Sequence, residues 1–183
     1  MTRDIFSTVI EKLLMIGKKT GVKIVFMGGI ATNIWSRPRV TYDIDAIMIL
    51  PENKKEVFLI HCKKSGLKYD KKEPLKSIHG MPFLTLVYFK TFVDIFIAKG
   101  RFQESVIKRA KGIKFNKKTL YVASCEDLIL LKLLSGRNKD MEDIREIIEE
   151  NKDKIDFKYL KETAKDINVY LFLEDELESL RLM

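Results

Sequence analysis

The sequence contains few of the residues that build disulfide-rich, collagen-like or membrane-spanning proteins. Two cysteines, four prolines and nine glycines occur among its 183 residues. Cys62 and Cys125 cannot form a disulfide framework, and no metal-ligand spacing surrounds either of them. No apolar run approaches the ~18 residues that a membrane helix needs, and charges interrupt residues 1–13 where a signal peptide is apolar. We therefore expect a cytoplasmic protein that has no membrane partner.

Acidic residues are also scarce in the first two thirds of the chain. Residues 1–122 hold 24 Lys and Arg against 10 Asp and Glu, a net charge of +14, whereas residues 123–183 hold 10 against 16, a net charge of −6. A basic part of this kind suggests a polyanionic partner, such as a nucleotide or a nucleic acid. On charge alone, a solvated lysine-rich surface is the simpler explanation.

The apolar pattern predicts an α/β part followed by a helical part. Strands are predicted at residues 22–27, 44–50, 83–89 and 92–98, with a terminal hairpin at 114–122. Helices are predicted at residues 4–16, ended by Gly17 and Gly21, and at 30–36, 53–65, 101–110, 140–150, 156–165 and 169–180. Ser124 and Asp127 resemble a capping box and open one more helix, which ends at Gly136. We expect an α/β (α+β) fold: a mixed twisted sheet with flanking helices in residues 1–122, and a helical region in residues 123–183.

Two aspartates stand at the start of a predicted strand. Asp43 and Asp45 are two residues apart, so their side chains share one face of that strand. Neighbouring carboxylates repel, and a strand entering a core is a poor place for them unless a cation lies between them. Mg²⁺ prefers carboxylate oxygens and leaves room for phosphate oxygens. Taken alone, the pair is more simply explained as a turn or a cap.

A third aspartate lies inside the most apolar predicted strand. Asp94 alternates with Phe92 and Phe96 on one face, and a lone carboxylate there is costly unless it is satisfied. If this strand lies beside the one that carries Asp43 and Asp45, all three carboxylates converge, and they could hold two cations ~3.5–4 Å apart for in-line attack at phosphorus. The alternative is an edge-strand charge that blocks aggregation.

Three further features surround the aspartate pair. Gly28-Gly29 follows a strand and precedes a short helix, so its backbone N–H groups suit a phosphate, although such a pair is usually only a turn. Arg39 could position a phosphate or pair with Asp43, and Thr41 could cap the entry to the strand. All four residues are therefore candidates for nucleotide binding.

A second group of charged residues lies in the helical part. Lys132 is surrounded by leucines, so it either extends to solvent or meets an anion. Arg137 and Asp140 lie at a helix junction, where a cation and a carboxylate could simply be caps.

These two blocks together resemble the DNA polymerase β-like nucleotidyltransferase superfamily. The first block is Gly28-Gly29, then Arg39-x-Thr41-x-Asp43-x-Asp45, then the strand with Asp94. The second block, residues 126–143, has a Lys, then Gly-Arg-x-Lys-Asp, then another Asp, and it is similar to the helical motif of the AbiEii-type nucleotidyltransferases. That branch comprises toxins of toxin–antitoxin and abortive-infection systems.

The resemblance implies a role for each of these residues. Gly28 and Gly29 would hold the triphosphate through backbone amides, although the superfamily often has Ser at the second position. Asp43, Asp45 and Asp94 would bind two Mg²⁺ ions. Two residues of the second block are also implied in catalysis: Lys132 would reach the nucleotide phosphates and Asp140 would be a polar active-site residue. Arg137 is a further candidate for nucleotide binding.

The function predicted from the sequence is Mg²⁺-dependent transfer of a nucleoside monophosphate from an NTP to a hydroxyl acceptor. The acceptor could be tRNA or another RNA, a protein or a small molecule, and an antitoxin protein is a possible partner. Two alternatives remain open at this stage. One is a non-catalytic nucleotide-binding or scaffold domain of the same fold, and the other is an antibiotic nucleotidyltransferase with an acidic pocket for a cationic acceptor.

Overall fold

The computed structural model describes residues 4–69, 76–78 and 81–182. Seven strands form one mixed sheet in the order β3-β4-β5-β2-β1-β7-β6. The strands are β1 (Ile24–Phe26), β2 (Asp43–Met48), β3 (Lys76–Ile78), β4 (Met81–Tyr88), β5 (Thr91–Ile97), β6 (Lys111–Phe115) and β7 (Lys118–Val122). This architecture confirms the predicted fold class.

Eight helices occur among the described residues. They are α1 (Ile5–Thr20), α2 (Gly28–Trp35), α3 (Glu52–Lys64), α4 (Arg101–Arg109), α5 (Cys125–Ser135), α6 (Asn138–Asn151), α7 (Phe157–Asp166) and α8 (Tyr170–Ser179). The predicted helices are all present, but two boundaries were wrong. Helix α1 continues through Gly17 and ends at Gly21, whose φ of 63° is the left-handed conformation that glycine adopts readily. Helix α2 begins at Gly28 itself.

The centre of the sheet is the parallel pair β2 and β5. Strand β5 lies between β2 and β4, so Asp94 is on a central strand and its interpretation as an edge-strand charge was wrong. Strand β1 pairs antiparallel with β2 and is three residues long, shorter than the predicted 22–27. The β4–β5 turn is formed by Phe89 and Lys90, since Thr91 already belongs to β5.

The last strand leads directly into the helical part. Strand β7 ends at Val122, and Ser124 caps α5 by accepting a hydrogen bond of 3.2 Å from the backbone N–H of Asp127. Beyond this point the described residues contain helices and no strand. The hydrophobic core is nevertheless one cluster, to which strands and C-terminal helices both contribute. The division into two parts therefore stays a prediction about domains, although the change in architecture occurs where it was expected.

Helix α2 links the sheet to the helical part. It packs against β2 and also against α5 and α6. The Trp35 indole N–H donates to the backbone oxygen of Ala123 at 2.8 Å, and the Asn151 amide donates to the backbone oxygen of Trp35. These bonds fix α2 between the two parts of the chain.

Within the described part of the chain, no helix has both the length and the apolar character needed to cross a bilayer.

The glycine inside α1 generates a testable prediction. A Cβ added at Gly17 would lie 2.7 Å from the backbone oxygen of Val22. This segment is held in place, because the Val22 N–H donates to the Gly17 oxygen at 3.0 Å. We expect Gly17→Ala to destabilise the protein by roughly 1–3 kcal/mol, as overpacking does, despite the higher helix propensity of alanine. Urea unfolding measures the difference. Met15→Ala, at a half-exposed position of the same helix, is the control, and a stabilised Gly17→Ala variant would contradict the packing described here.

Candidate active site

The parallel pairing of β2 and β5 brings the three predicted aspartates to one face of the sheet. Asp45 is directly opposite Asp94 in the register, and Asp43 is opposite Phe92. Because side chains alternate along a strand, all three carboxylates project from the same face. They line one cavity of about 940 Å³. The two strands are neighbours, as the sequence analysis required, and the three carboxylates therefore lie on the same face.

The cavity lies between the sheet and the helical part. Strand residues, the start of α2 and helices α4 to α7 all contribute to its wall. Its lining residues are Met27, Gly28, Asp43, Asp45, Met81, Asp94, Phe96, Arg101, Phe102, Gln103, Ser105, Leu128, Leu131, Lys132, Leu134, Ser135, Arg137, Asp140, Tyr159, Thr163, Asp166 and Ile167. The lining mixes apolar side chains with a smaller number of charged and hydroxyl groups, a composition typical of small-molecule sites.

Asp94 has a hydrogen-bond donor on the neighbouring strand. The Thr85 hydroxyl donates to Asp94 Oδ1 at 2.6 Å, and the two residues are opposite each other in the β4–β5 register. This bond satisfies one carboxylate oxygen inside an otherwise apolar strand and fixes the orientation of the side chain. The sequence did not single out Thr85, because a threonine in a strand is ordinary.

The carboxyl group of Asp45 has a strongly shifted pKa. Burial, followed by the charges of Asp43 and Asp94, raises the pKa of Asp45 to about 6, although Arg137 and Lys132 act in the opposite direction. The site therefore concentrates negative charge that the protein neutralises only in part. A bound cation would remove this repulsion.

The glycine pair is required by close packing as well as by backbone conformation. Gly28 has a φ of +53°, and a Cβ there would overlap the carboxylate of Asp45. A Cβ on Gly29 would overlap the side chain of Thr41. The start of α2 is thus held directly against the carboxylate-bearing strand, and the Met27 N–H donates to the Asp45 backbone oxygen at 2.9 Å. Phosphate binding by these glycines remains a prediction.

Thr41 and Arg39 have different partners. The Thr41 hydroxyl donates to the backbone oxygen of Asp43 at 3.2 Å, which is the cap on the strand entry that the sequence suggested. Arg39 does not pair with Asp43, so that prediction was wrong. It makes a bidentate ion pair with Asp143, with distances of 3.0 Å from Nε to Oδ1 and 2.7 Å from Nη2 to Oδ2. Arg39 is not among the residues that line the cavity.

Lys132 is buried in an ion-pair network. Its side chain is 6% exposed, and Nζ lies 3.0 Å from Asp140 Oδ1 and 2.6 Å from Asp143 Oδ2. The interpretation that it extends to solvent was therefore wrong, because its anionic partners lie on α6. Lys132 also lines the cavity.

Arg137 extends the same network toward solvent. Its Nε lies 2.7 Å from Asp140 Oδ2, while its side chain remains 73% exposed. This hydrogen bond and the nearby carboxylates raise the pKa of Arg137. Burial alone would raise the pKa of Asp140, but hydrogen bonds from Arg137 and Ser135 and the charge of Lys132 lower it. Asp140 also lies in the first turn of α6, as the cap interpretation expected, and in addition it is an ion-pair partner of Arg137 and Lys132.

A second polar cluster in the wall was not predicted. The Tyr159 hydroxyl donates to buried Asp127 Oδ1 at 2.6 Å and lies 3.3 Å from the Ser105 hydroxyl. The Arg109 guanidinium stacks 3.6 Å from the centre of the Tyr159 ring and also contacts Asp127 and Glu126. Burial raises the pKa of Asp127 despite these partners. The sequence signal at Asp127 indicated only a helix cap, and nothing in the pattern pointed to Tyr159.

The donor set fits a divalent cation of the Mg²⁺ type. Hard cations prefer carboxylate oxygens, and three carboxylates with unbalanced charge share one wall of the cavity. Among the described residues, no group of three or more Asp, Glu, His or Cys side chains is arranged to hold a metal ion. Waters and substrate phosphates would therefore have to complete the coordination of Mg²⁺.

Part of the chain matches a known protein family in sequence. Residues 100–181 match the model of a family described as "Nucleotidyltransferase of unknown function (DUF6036)". No curated protein matches the chain in sequence.

Solved structures resemble the chain at low sequence identity. The antibiotic-resistance factor ANT(2'')-Ia, in complex with adenylyl-2''-tobramycin, has a TM-score of 0.57 and 14% identity, over 79% of this chain and 88% of that one. The protein TM1012 of Thermotoga maritima has a TM-score of 0.56 and 18% identity, over 82% and 96%. The lincosamide antibiotic adenylyltransferase LnuA, bound to lincomycin, has a TM-score of 0.50 and 13% identity, over 74% and 91%. The fold is therefore that of the polymerase β-like nucleotidyltransferases.

The raised pKa of Asp45 predicts a pH-dependent effect on stability. The folded-state pKa of Asp45 is about 6, against an ordinary value of 3.8. The protonated carboxyl group therefore makes its full contribution to the free energy of unfolding below pH 3.8, and this contribution is lost as the pH rises through 6. In the presence of EDTA, we expect Asp45→Asn to raise the free energy of unfolding at pH 7.5, by at most about 3 kcal/mol, and to have little effect near pH 4. Urea unfolding at both pH values checks this. An equal effect at both would contradict the electrostatic explanation.

Proposed function

We propose that the chain is a Mg²⁺-dependent nucleotidyltransferase, which transfers a nucleoside monophosphate from an NTP to a hydroxyl acceptor and releases pyrophosphate. The observation that carries this proposal is the set of three carboxylates on one face of paired strands, at the wall of a cavity of about 940 Å³. A cavity of this size has room for a nucleotide and a small acceptor. The family match over residues 100–181 and the similar folds support the same activity.

The carboxylates are proposed to hold the metal. Asp43, Asp45 and Asp94 would bind Mg²⁺, which when bound neutralises triphosphate charge and makes the acceptor hydroxyl more acidic. Asp94 is held by Thr85, so its carboxylate presents a fixed orientation to the cavity. The chain's contribution is therefore mainly positioning and electrostatics.

The start of α2, next to the carboxylates, is proposed to receive the triphosphate. The backbone at Gly28 and Gly29 begins α2, where N–H groups suit an anion. Arg137 lines the cavity and is largely exposed, so it is able to contact phosphate oxygens directly. Lys132 is held by two carboxylates, so we assign it a contribution through its charge rather than through direct contact. Its positive charge opposes the rise in the pKa of Asp45, although the net shift is still upward.

A small cationic molecule is the acceptor that the cavity favours. Five aspartates and three cations line it, and two of those cations, Lys132 and Arg137, are already paired with Asp140. Asp166 lies in the α7 wall with the hydroxyls of Tyr159 and Thr163. Similar folds occur in proteins described with tobramycin and lincomycin. An RNA acceptor, predicted from the basic charge of residues 1–122, is the competing assignment.

The toxin–antitoxin assignment rests on the second sequence block alone. The structure gives Lys132, Arg137 and Asp140 a shared network, which suits an active-site wall in any branch of the superfamily. An antitoxin partner and the AbiEii branch therefore stay predictions from sequence, to be tested by co-expression toxicity assays.

The metal-binding assignment predicts a loss of activity. We expect Asp43→Asn and Asp94→Asn each to lower nucleotidyl transfer by roughly 100-fold or more, because removing a group that stabilises charge in the transition state has effects of this size. The measurement uses labelled NTPs, Mg²⁺ and a panel of aminoglycoside, lincosamide and RNA acceptors. Asp175→Asn, an exposed position on α8, is the control. If both variants label as well as the wild type, the assignment is wrong. NTP binding that ignores Mg²⁺ would favour the non-catalytic alternative.

The acceptor assignment predicts a selective effect at Asp166. We expect Asp166→Asn to raise the KM for a cationic acceptor by roughly 3- to 30-fold, as the loss of a charged contact does, with the KM for NTP unchanged. Steady-state kinetics with each substrate varied in turn measures both values. Asp153→Asn, which is not among the residues lining the cavity, is the control. Activity on RNA and on no cationic small molecule would refute this acceptor.

A further inference from the structure

Asp143 connects two parts of the site without lining the cavity. Its carboxylate lies on α6, where its side chain is 6% exposed. It accepts hydrogen bonds from Arg39, in the segment before β2, and from Lys132 on α5. One buried side chain therefore contacts both the strand side and the helix side of the site, although it does not line the cavity itself.

The Arg39 segment depends on such contacts for its position. Residues 37–42, between α2 and β2, have no regular structure. The Arg39 backbone is held by Asn33, whose side chain accepts from the Arg39 N–H at 2.9 Å and donates to the Arg39 oxygen at 2.8 Å. Asp143 holds the Arg39 side chain. Asp43 follows Arg39 by four residues, so these contacts help to set the position of Asp43.

The contact between Asp143 and Lys132 is part of a balance of charges. Lys132, Arg39 and Arg137 carry three positive charges, and Asp140 and Asp143 carry two negative charges. Loss of the Asp143 charge leaves Arg39 without a carboxylate partner and Lys132 with Asp140 alone. Both cations would then lose a contact that fixes their side chains, and Lys132 lines the same cavity as Asp43, Asp45 and Asp94.

We propose that Asp143 is a positioning residue for nucleotidyl transfer, which fixes the Asp43 segment through Arg39 and orients Lys132 at the cavity wall. This inference rests on the proposed function. Small displacements at a reacting centre lower turnover more than they lower substrate affinity. A residue that acts through Arg39 and Lys132 therefore affects kcat more strongly than the KM for NTP.

The chain contains a matched ion pair that serves as the control. Arg145 on α6 makes a two-pronged pair with Glu176 on α8, with distances of 2.6 Å and 3.2 Å, and the Glu176 carboxylate is 8% exposed. Neither residue lines the cavity. Glu176→Gln breaks a pair of the same geometry and similar burial, so it measures the effect of lost stability alone.

The kinetic experiment compares Asp143→Asn, Asp143→Glu and Glu176→Gln. We expect Asp143→Asn to lower kcat roughly 10- to 100-fold, with the KM for NTP within threefold of the wild type. Asp143→Glu, which keeps the charge, restores part of the loss, and Glu176→Gln keeps kcat within twofold. If Asp143→Asn loses no more turnover than Glu176→Gln, or changes KM alone, the inference is refuted. Should Asp143→Asn fail to fold, Arg39→Lys tests the same contact.

A second measurement does not require activity. Trypsin cleaves after arginine, and the Arg39–Val40 bond lies in the segment that Asp143 holds. We expect native-state cleavage at this bond, followed by mass spectrometry, to be at least fivefold faster in Asp143→Asn than in the wild type or in Glu176→Gln. Unchanged cleavage refutes the positioning role even if transfer activity is never detected. A wild type that is inactive toward every acceptor, with faster cleavage in the variant, refutes the proposed function and leaves the Arg39 contact established.

Discussion

The site depends on the parallel pairing of β2 with β5. This register sets Asp45 against Asp94 and turns Asp43 toward the same side. A slip of one residue would send the β5 carboxylate to the other face, because strand side chains alternate. The apolar residues between the aspartates oppose such a slip, since Ile44, Val93 and Ile95 are completely buried. The same residues that stabilise the sheet therefore position the charged groups.

Negative charge exceeds positive charge around this pair of strands. Three carboxylates share one wall, and burial together with their mutual repulsion raises the pKa of Asp45. The cations nearest to them are tied to Asp140 and Asp143, so they reduce the repulsion without cancelling it. The protein thus keeps a local excess of negative charge at the wall of the cavity. Native proteins retain such unfavourable arrangements mainly where a ligand compensates them.

Much of this could be predicted from the sequence, for identifiable reasons. Asp43, Asp45 and Asp94 were visible because acids are rare in apolar strands, and Gly136 and Gly21 were visible because helices often end at glycine. The partner of Arg39 was missed because Asp143 lies 104 residues away along the chain, and periodicity carries no information about such a distance. The role of Lys132 was left open because burial of its ammonium group is decided by α6, which the local leucine pattern does not describe. The Tyr159 cluster was missed for the same reason, since α4, α5 and α7 meet only in the folded chain.

The Arg39–Asp143 contact also limits how such a protein can diversify. The helical region supplies one wall of the cavity and the counter-charge for a loop of the sheet region, so the two regions cannot be exchanged between homologues as independent modules. A chimera that joins this sheet region to a foreign helical region would need a carboxylate at the equivalent point of its second helix. Changes in acceptor preference are therefore easier to make on α4 and α7, whose cavity residues take no part in that contact, than by replacing the whole C-terminal half.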